Sequence, residues 1–193
     1  EGKKHTLLIS DELQALLEAK ASGRAVLGCL DTGNGEGASR DFQGIPYVVP
    51  SMEYVTEELL ELILRRYLGL PWLIDETERL YIREFVKEDA ENIPEEEYGK
   101  EEEIFRDPDK LEVYIKNQYG FYEYGTWAVL KKSPSLLIGM AGVSNPNLPE
   151  TALQALPTLP DDLCWLELGY HIFKPYRKNG YATEAAKAIP FIY

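Results

Sequence analysis

One stretch constrains the fold more than any other: LELGYHIFKPYRKNGYATEAAKA, Leu166 to Ala188. An apolar run of strand length passes through a short basic connection straight into a helix-forming run. The opening turn of a helix leaves several backbone N–H groups without partners, at the positive end of its dipole. Gly180 allows the backbone to approach a ligand closely, and the small Ala182 keeps the entry open. Successive N–H groups from Gly180 to Thr183 can then form a nest for an anion, and Arg177 and Lys178 add charge that suits a diphosphate. The same residues also read as an ordinary strand-to-helix connection carrying surface cations.

The rest of the chain divides into two patterns. HTLLIS (His5–Ser10) has strand length, and the helix pattern that follows places Leu13, Leu16, Leu17 and Lys20 on one face and closes on Gly23. RAVLGCL (Arg24–Leu30) is a second buried strand, then comes a glycine-rich loop from Asp31 to Gly44, then a strand at Pro46–Val49. An amphipathic helix from Thr56 to Gly69 has Thr56 as its cap and Gly69 as its stop. Strand, helix and strand at this spacing imply a parallel βαβ crossover. A boundary is expected between Pro71 and Glu78. Beyond it, Arg79–Phe85 alternates as a half-buried strand does, and a glutamate-dense stretch reads as short solvated turns. A helix then opens on Asp107 and Pro108 and carries Leu111, Tyr114 and Ile115 inward. Thr126–Lys132 and Ser135–Val143 outline an antiparallel hairpin around Pro134. A proline-rich loop leads to the strand Cys164–Phe173.

Charge and composition exclude several functions. A net charge of −13 over 193 residues would repel a phosphate backbone, so broad nucleic-acid binding is not expected. No apolar run approaches the roughly 20 residues that span a bilayer, so no membrane partner is expected. The amino end has no signal-peptide pattern. Cys29 and Cys164 are far apart and lack metal-ligand spacing, which predicts no metal and a reduced, cytoplasmic setting. The loop DTGNGEGAS is not a phosphate-binding P-loop, because no Lys-Ser/Thr follows its glycines.

RKNGYA, with LELGYHIF before it, resembles the acetyl-CoA-binding motif of the GNAT family of N-acetyltransferases, Arg/Gln-x-x-Gly-x-Gly/Ala between the family's fourth strand and third helix. LYIREFVKEDAENI resembles the family's first strand and helix start, and WAVLKK and LLIGMAGV its second and third strands. The subgroup that includes ribosomal-protein alanine acetyltransferases is the nearest in appearance. The resemblance implies an α/β fold with a GNAT-type mixed sheet over residues 78–193. It also implies that the domain continues past Tyr193 to a thiolate-protonating tyrosine. Pro190 is expected to interrupt the last helix.

The implied chemistry is acetyl transfer from acetyl-CoA to a primary amine, either a protein N-terminus or a small molecule. The diphosphate would lie on Asn179, Gly180, Tyr181, Ala182 and Thr183 with Arg177 and Lys178 alongside, and the pantetheine arm would pair with the backbone of Tyr170, His171 and Ile172. A backbone N–H there would polarise the thioester carbonyl. Glu167 is the candidate base, with His171 on the same face as a weaker one. Tyr114, Tyr119, Phe121, Tyr122, Tyr124 and Trp127 form an aromatic cluster that either lines an acceptor pocket or packs the core. A homodimer is compatible with this reading, and the alternative function is an acetyl-CoA sensor without transfer.

Residues 1–72 resemble, more distantly, the late βαβ segment of HAD-like hydrolases, a Rossmann-like accessory unit. The Asp-x-Asp nucleophile of that family is absent. Asp11 and Glu12 suit a helix start better than a metal.

Overall fold

The computed structural model describes residues 5–31, 42–95, 100–120, 122, 124–160 and 163–189. The chain divides into two units, Glu1–Trp72 and Leu73–Tyr193.

In the first unit, β1 (Leu7–Ser10), α1 (Leu13–Ala21), β2 (Ala25–Asp31), β3 (Val48–Ser51) and α2 (Glu57–Tyr67) follow in order. β1 and β3 flank β2, both parallel to it. A parallel pair needs a crossover, and α1 supplies the one between β1 and β2. Gly23, at φ 75°, ends α1 in the left-handed conformation. The strand β2 is apolar and buried from Ala25 to Cys29 because that stretch is covered on both faces. Val26 packs with Leu16 and Ala19, whereas Ala25, Leu27 and Cys29 pack with Val49 and Ile63. Strand alternation therefore puts α1 and α2 on opposite faces. The Thr56 hydroxyl caps α2 by accepting the Leu59 N–H at 3.1 Å. The glycine-rich loop lies mostly outside the described residues, as does Pro190.

The second unit contains β4 (Leu73–Glu76), β5 (Leu80–Arg83), α3 (Pro108–Tyr114), β6 (Thr126–Lys131), β7 (Leu136–Ser144), α4 (Glu150–Leu153), β8 (Glu167–Ile172) and α5 (Tyr181–Ala188). The strands form a sheet in the order β4-β5-β6-β7-β8, every neighbour antiparallel. The architecture is mixed α/β, as the sequence predicts. The stretch 71–78, in which a boundary is expected, also contains β4. Four residues are too few to show an alternating pattern, and the tight turn closed by Thr77 N–H on Leu80 O (3.0 Å) pairs them with β5.

Alternation along β6 divides the core in two. Trp127 and Val129 pack with Ile138, Ile172, Ala185 and Ile189, so α5 covers that face. Ala128 packs with Phe85, Phe105, Leu111, Met140 and Phe173, so α3 covers the other. The acidic stretch forms short 3-10 turns at Lys87–Asn92 and Lys100–Phe105. One of its carboxylates is not on the surface. Asp89, buried, takes the forked Arg83 guanidinium at 2.7 and 2.9 Å and the Val86 N–H at 2.9 Å.

Candidate functional site

β8 ends the sheet. Among the described residues it pairs only with β7, in the register Gly139↔Ile172 through Ser144↔Glu167. Phe173 N–H donates to Ile138 O at 2.9 Å, and the Ile172 carbonyl accepts from Arg177 Nε at 2.7 Å. Ile172 is therefore turned away from β7. By the alternation of an antiparallel ladder, so are the backbone groups of Tyr170 and Leu168. His171, opposite Met140, has its backbone groups directed at β7. Of the three residues expected to meet a pantetheine arm, Tyr170 and Ile172 offer backbone to the open edge, and Arg177 already occupies the Ile172 carbonyl.

The connection after β8 has an unusual backbone. Lys178 and Gly180 both have left-handed φ, at 63° and 81°. The conformation is routine for glycine but costs a lysine roughly 1–2 kcal/mol. Asn179 stabilises the turn by donating its side-chain N–H groups to Tyr176 O and Arg177 O, each at 3.0 Å. The first bond of α5 runs from Glu184 N–H to Gly180 O at 3.0 Å, so the amides of Tyr181, Ala182 and Thr183 precede the helical ladder. Gly180, Lys178 and Asn179 are exposed. Tyr181 to Thr183 thus open the helix at the end of the edge strand.

The expected cations are placed differently from each other. Arg177 folds back on β8, binding the Ile172 carbonyl and lying 3.3 Å from His171 Nε2. Lys178 extends into solvent. Glu167 sits at the other end of β8, exposed, its Oε2 accepting Asn147 N–H at 3.1 Å. The register puts Glu167, Gly169 and His171 on one face.

The aromatic cluster resolves mainly to core packing. Tyr119 and Trp127 are buried. The Tyr119 hydroxyl donates to Thr126 O and accepts Phe85 N–H, and Tyr114 Oη accepts Thr126 N–H at 2.8 Å. Burial raises the pKa of both hydroxyls. Tyr122 and Tyr124 stay nearer the surface, with Tyr124 Oη donating to Asn145 Oδ1 at 3.0 Å. Phe121 lies outside the described residues.

A group that the sequence does not single out holds the start of α5. Glu184 Oε1 accepts from the Thr77 hydroxyl (2.6 Å) and Arg79 N–H (3.0 Å), and Oε2 from Arg79 Nε (2.7 Å). Arg79 Nη1 donates to Asn179 O at 3.0 Å, and its guanidinium lies 4.6 Å from the centre of the Tyr181 ring. Burial opposes ionisation of Glu184, but the Thr77 hydroxyl and Arg79 outweigh it and lower its pKa. The partners are about a hundred residues apart, so no local spacing could reveal them.

Residues 79–190, more than half of the chain, match the family model for the acetyltransferase (GNAT) domain. The chain belongs to the GNAT acetyltransferases. Among solved structures, the GNAT chain is similar to an acetyltransferase from Agrobacterium tumefaciens str. C58, at 20% identity and a TM-score of 0.35. The similarity covers 61% of this chain and 64% of that one. No protein of curated function matches. Among the described residues no group of three or more His, Cys, Asp and Glu side chains could hold a metal ion, and no helix is long and apolar enough to cross a membrane. An open cavity of about 480 Å³ lies in the proline-rich loop, between Gln154, Leu156 and Trp165. Among the described residues its lining has no charged side chain to meet a diphosphate.

Proposed function

We propose that this GNAT domain binds acetyl-CoA on the loop from Arg177 to Thr183 and the open edge of β8, and transfers the acetyl group to a primary amine. The observation that carries the reading is the pair of left-handed residues, Lys178 and Gly180, immediately before the helix α5. A backbone of this kind can present successive amides to an anion, and its left-handed φ favours glycine at 180. The residues fit the group. The diphosphate would rest on the amides of Gly180 to Thr183, with Asn179 shaping the turn and Lys178 adding charge.

Bound there, acetyl-CoA supplies an activated acetyl thioester. Tyr170 would hold its pantetheine arm through outward backbone groups, sheet fashion, with an outward N–H of β8 directed at the thioester carbonyl. Glu167 is the proposed base, taking the proton that an ammonium must lose before its nitrogen attacks. In the transfer the N–C bond forms as the C–S bond breaks, and the thiolate then takes up a proton. The acceptor is a protein N-terminus or a small amine, the former in keeping with the alanine-acetyltransferase-like appearance of the sequence. Neither Cys29 nor Cys164 is in a disulfide, which suits a reducing compartment. We read residues 1–72 as an accessory unit.

Calorimetric titration with acetyl-CoA tests the site. The folded wild-type protein should bind, and Gly180→Asp, which adds a side chain in a left-handed conformation and a negative charge, should not. Equal binding by the two proteins, or none by wild type, overturns the assignment.

A further inference from the structure

Resting on the acetyl-CoA reading of this loop, we infer that Arg79 is a positioning residue for the diphosphate: by holding the Asn179 carbonyl it aims the Gly180 N–H at the anion. The Asn179–Gly180 peptide is trans, so its C=O and N–H point in opposite directions. Arg79 Nη1 holds the carbonyl at 3.0 Å. The Gly180 N–H is thereby directed away from Arg79, to the side where the first-turn amides of α5 lack helical partners. At φ 81° the Gly180 backbone has no side chain to limit it, so an external restraint decides which way the peptide faces.

Arg79 can serve as that restraint because it is itself fixed. Its Nε and Nη2 both meet Glu184 Oε2, at 2.7 and 2.5 Å, and its main-chain N–H binds Glu184 Oε1 at 3.0 Å. The guanidinium is further seated on the Tyr181 ring. Thr77, which donates to Glu184 and accepts the Leu80 N–H at 3.0 Å, ties the group to the β4–β5 turn. The planar fork is needed because one side chain must hold a carboxylate and a carbonyl in different directions, which a lysine ammonium on a flexible stem does poorly. Arg79 acts through the peptide, with its donors already directed at Glu184 and Asn179.

The test compares two ligands by NMR titration, which reads millimolar affinities: acetyl-CoA, and S-acetyl-pantetheine, which lacks the diphosphate. Arg79→Ala should weaken acetyl-CoA about ten-fold, the equivalent of one hydrogen bond, and leave S-acetyl-pantetheine unchanged. In wild type the Gly180 amide proton should move downfield with acetyl-CoA, and in the variant it should move less. The double variant Arg79→Ala/Glu184→Gln should remain as weak as the single one. Recovery to wild-type affinity in the double variant overturns the inference, since Arg79 would then act only by neutralising Glu184. Unchanged acetyl-CoA affinity in Arg79→Ala, or equal weakening of both ligands, also overturns it. If Arg79→Ala does not fold, Arg79→Lys takes its place, and full affinity there refutes the need for the fork. Wild-type protein that binds no acetyl-CoA fails the cofactor reading itself, an outcome separate from failure in the variant alone.

Discussion

Replacing Gly139 with alanine should destabilise the second unit, whereas the same replacement at Gly120 should not. Gly139 sits in β7 opposite Ile172, and a Cβ there would lie 2.3 Å from His171 O and 2.9 Å from Ile172 Cα. Both obstacles are backbone, so the clash is relieved only by moving β8 or twisting its ladder. Overpacking of this kind costs typically about 1–3 kcal/mol. At roughly 4 °C per kcal/mol for a unit of this size, Gly139→Ala should lower the unit's melting temperature by about 4–12 °C. Gly120 offers the opposite case. Its backbone is right-handed helical, at φ −74° and ψ −20°, and a Cβ would meet nothing within 4 Å among the described residues. Alanine there loses less freedom on folding and should stabilise by about 0.4–1 kcal/mol. Thermal unfolding of wild type and both variants by near-UV circular dichroism makes the comparison. A Gly139→Ala protein as stable as wild type, or equal losses in both variants, refutes the claim that β7 and β8 are held together by an absent side chain.

Two further outcomes follow from the site. The folded-state pKa of Glu184 is lowered, so its contribution to stability is complete above the ordinary glutamate range and is lost as pH falls through the lowered value. Denaturant titrations of wild type and Glu184→Gln should therefore diverge near neutral pH and converge under acid, and a gap that stays constant with pH contradicts the assignment. Glu167→Gln should reduce the acetyl-transfer rate about 10²–10⁴-fold while leaving the calorimetric affinity for acetyl-CoA unchanged, and a variant as fast as wild type removes Glu167 from the mechanism.

What the sequence made legible was local. The capping threonine of α2, Asp107 and Pro108 at the start of α3, and the β6–β7 hairpin are each written in a few consecutive residues. So is the passage from β8 into α5. Gly180 marked a place where the backbone could approach a ligand, and the structure adds its left-handed φ and that of Lys178, which no composition rule would forecast. Interactions between distant segments stayed hidden. β4 is four residues long and owes its existence to its neighbour β5, and Arg79 and Glu184 look like two unremarkable surface charges until the fold joins them. For Tyr119 and Trp127 the choice between pocket and core was hidden for the same reason. An aromatic cluster in sequence does not reveal which side of a sheet each ring will face, and here both joined the core.

The two ends of β8 have different tasks under the acetyl-CoA reading, and the strand sets their separation. Glu167 and Ile172 are five residues apart, so at about 3.3 Å per residue the proposed base lies roughly 17 Å along the edge from the end of β8 that leads to the diphosphate loop. Between them, the residues whose backbone faces outward, Leu168 and Tyr170, recur about every 7 Å. An extended arm laid along this edge would therefore have its anionic end fixed at Gly180 and its reactive end near Glu167 and Asn147, without the base and the anion nest competing for space. The arrangement requires β8 to stay straight and close to β7, which Gly139 permits, since a Cβ there would meet the β8 backbone. It also requires the loop to be anchored independently of β8, and the link from Arg79 at the start of β5 provides that. The ladder to β7 would thus govern where the acetyl group lies, and the Arg79–Glu184 group how firmly the far end is held.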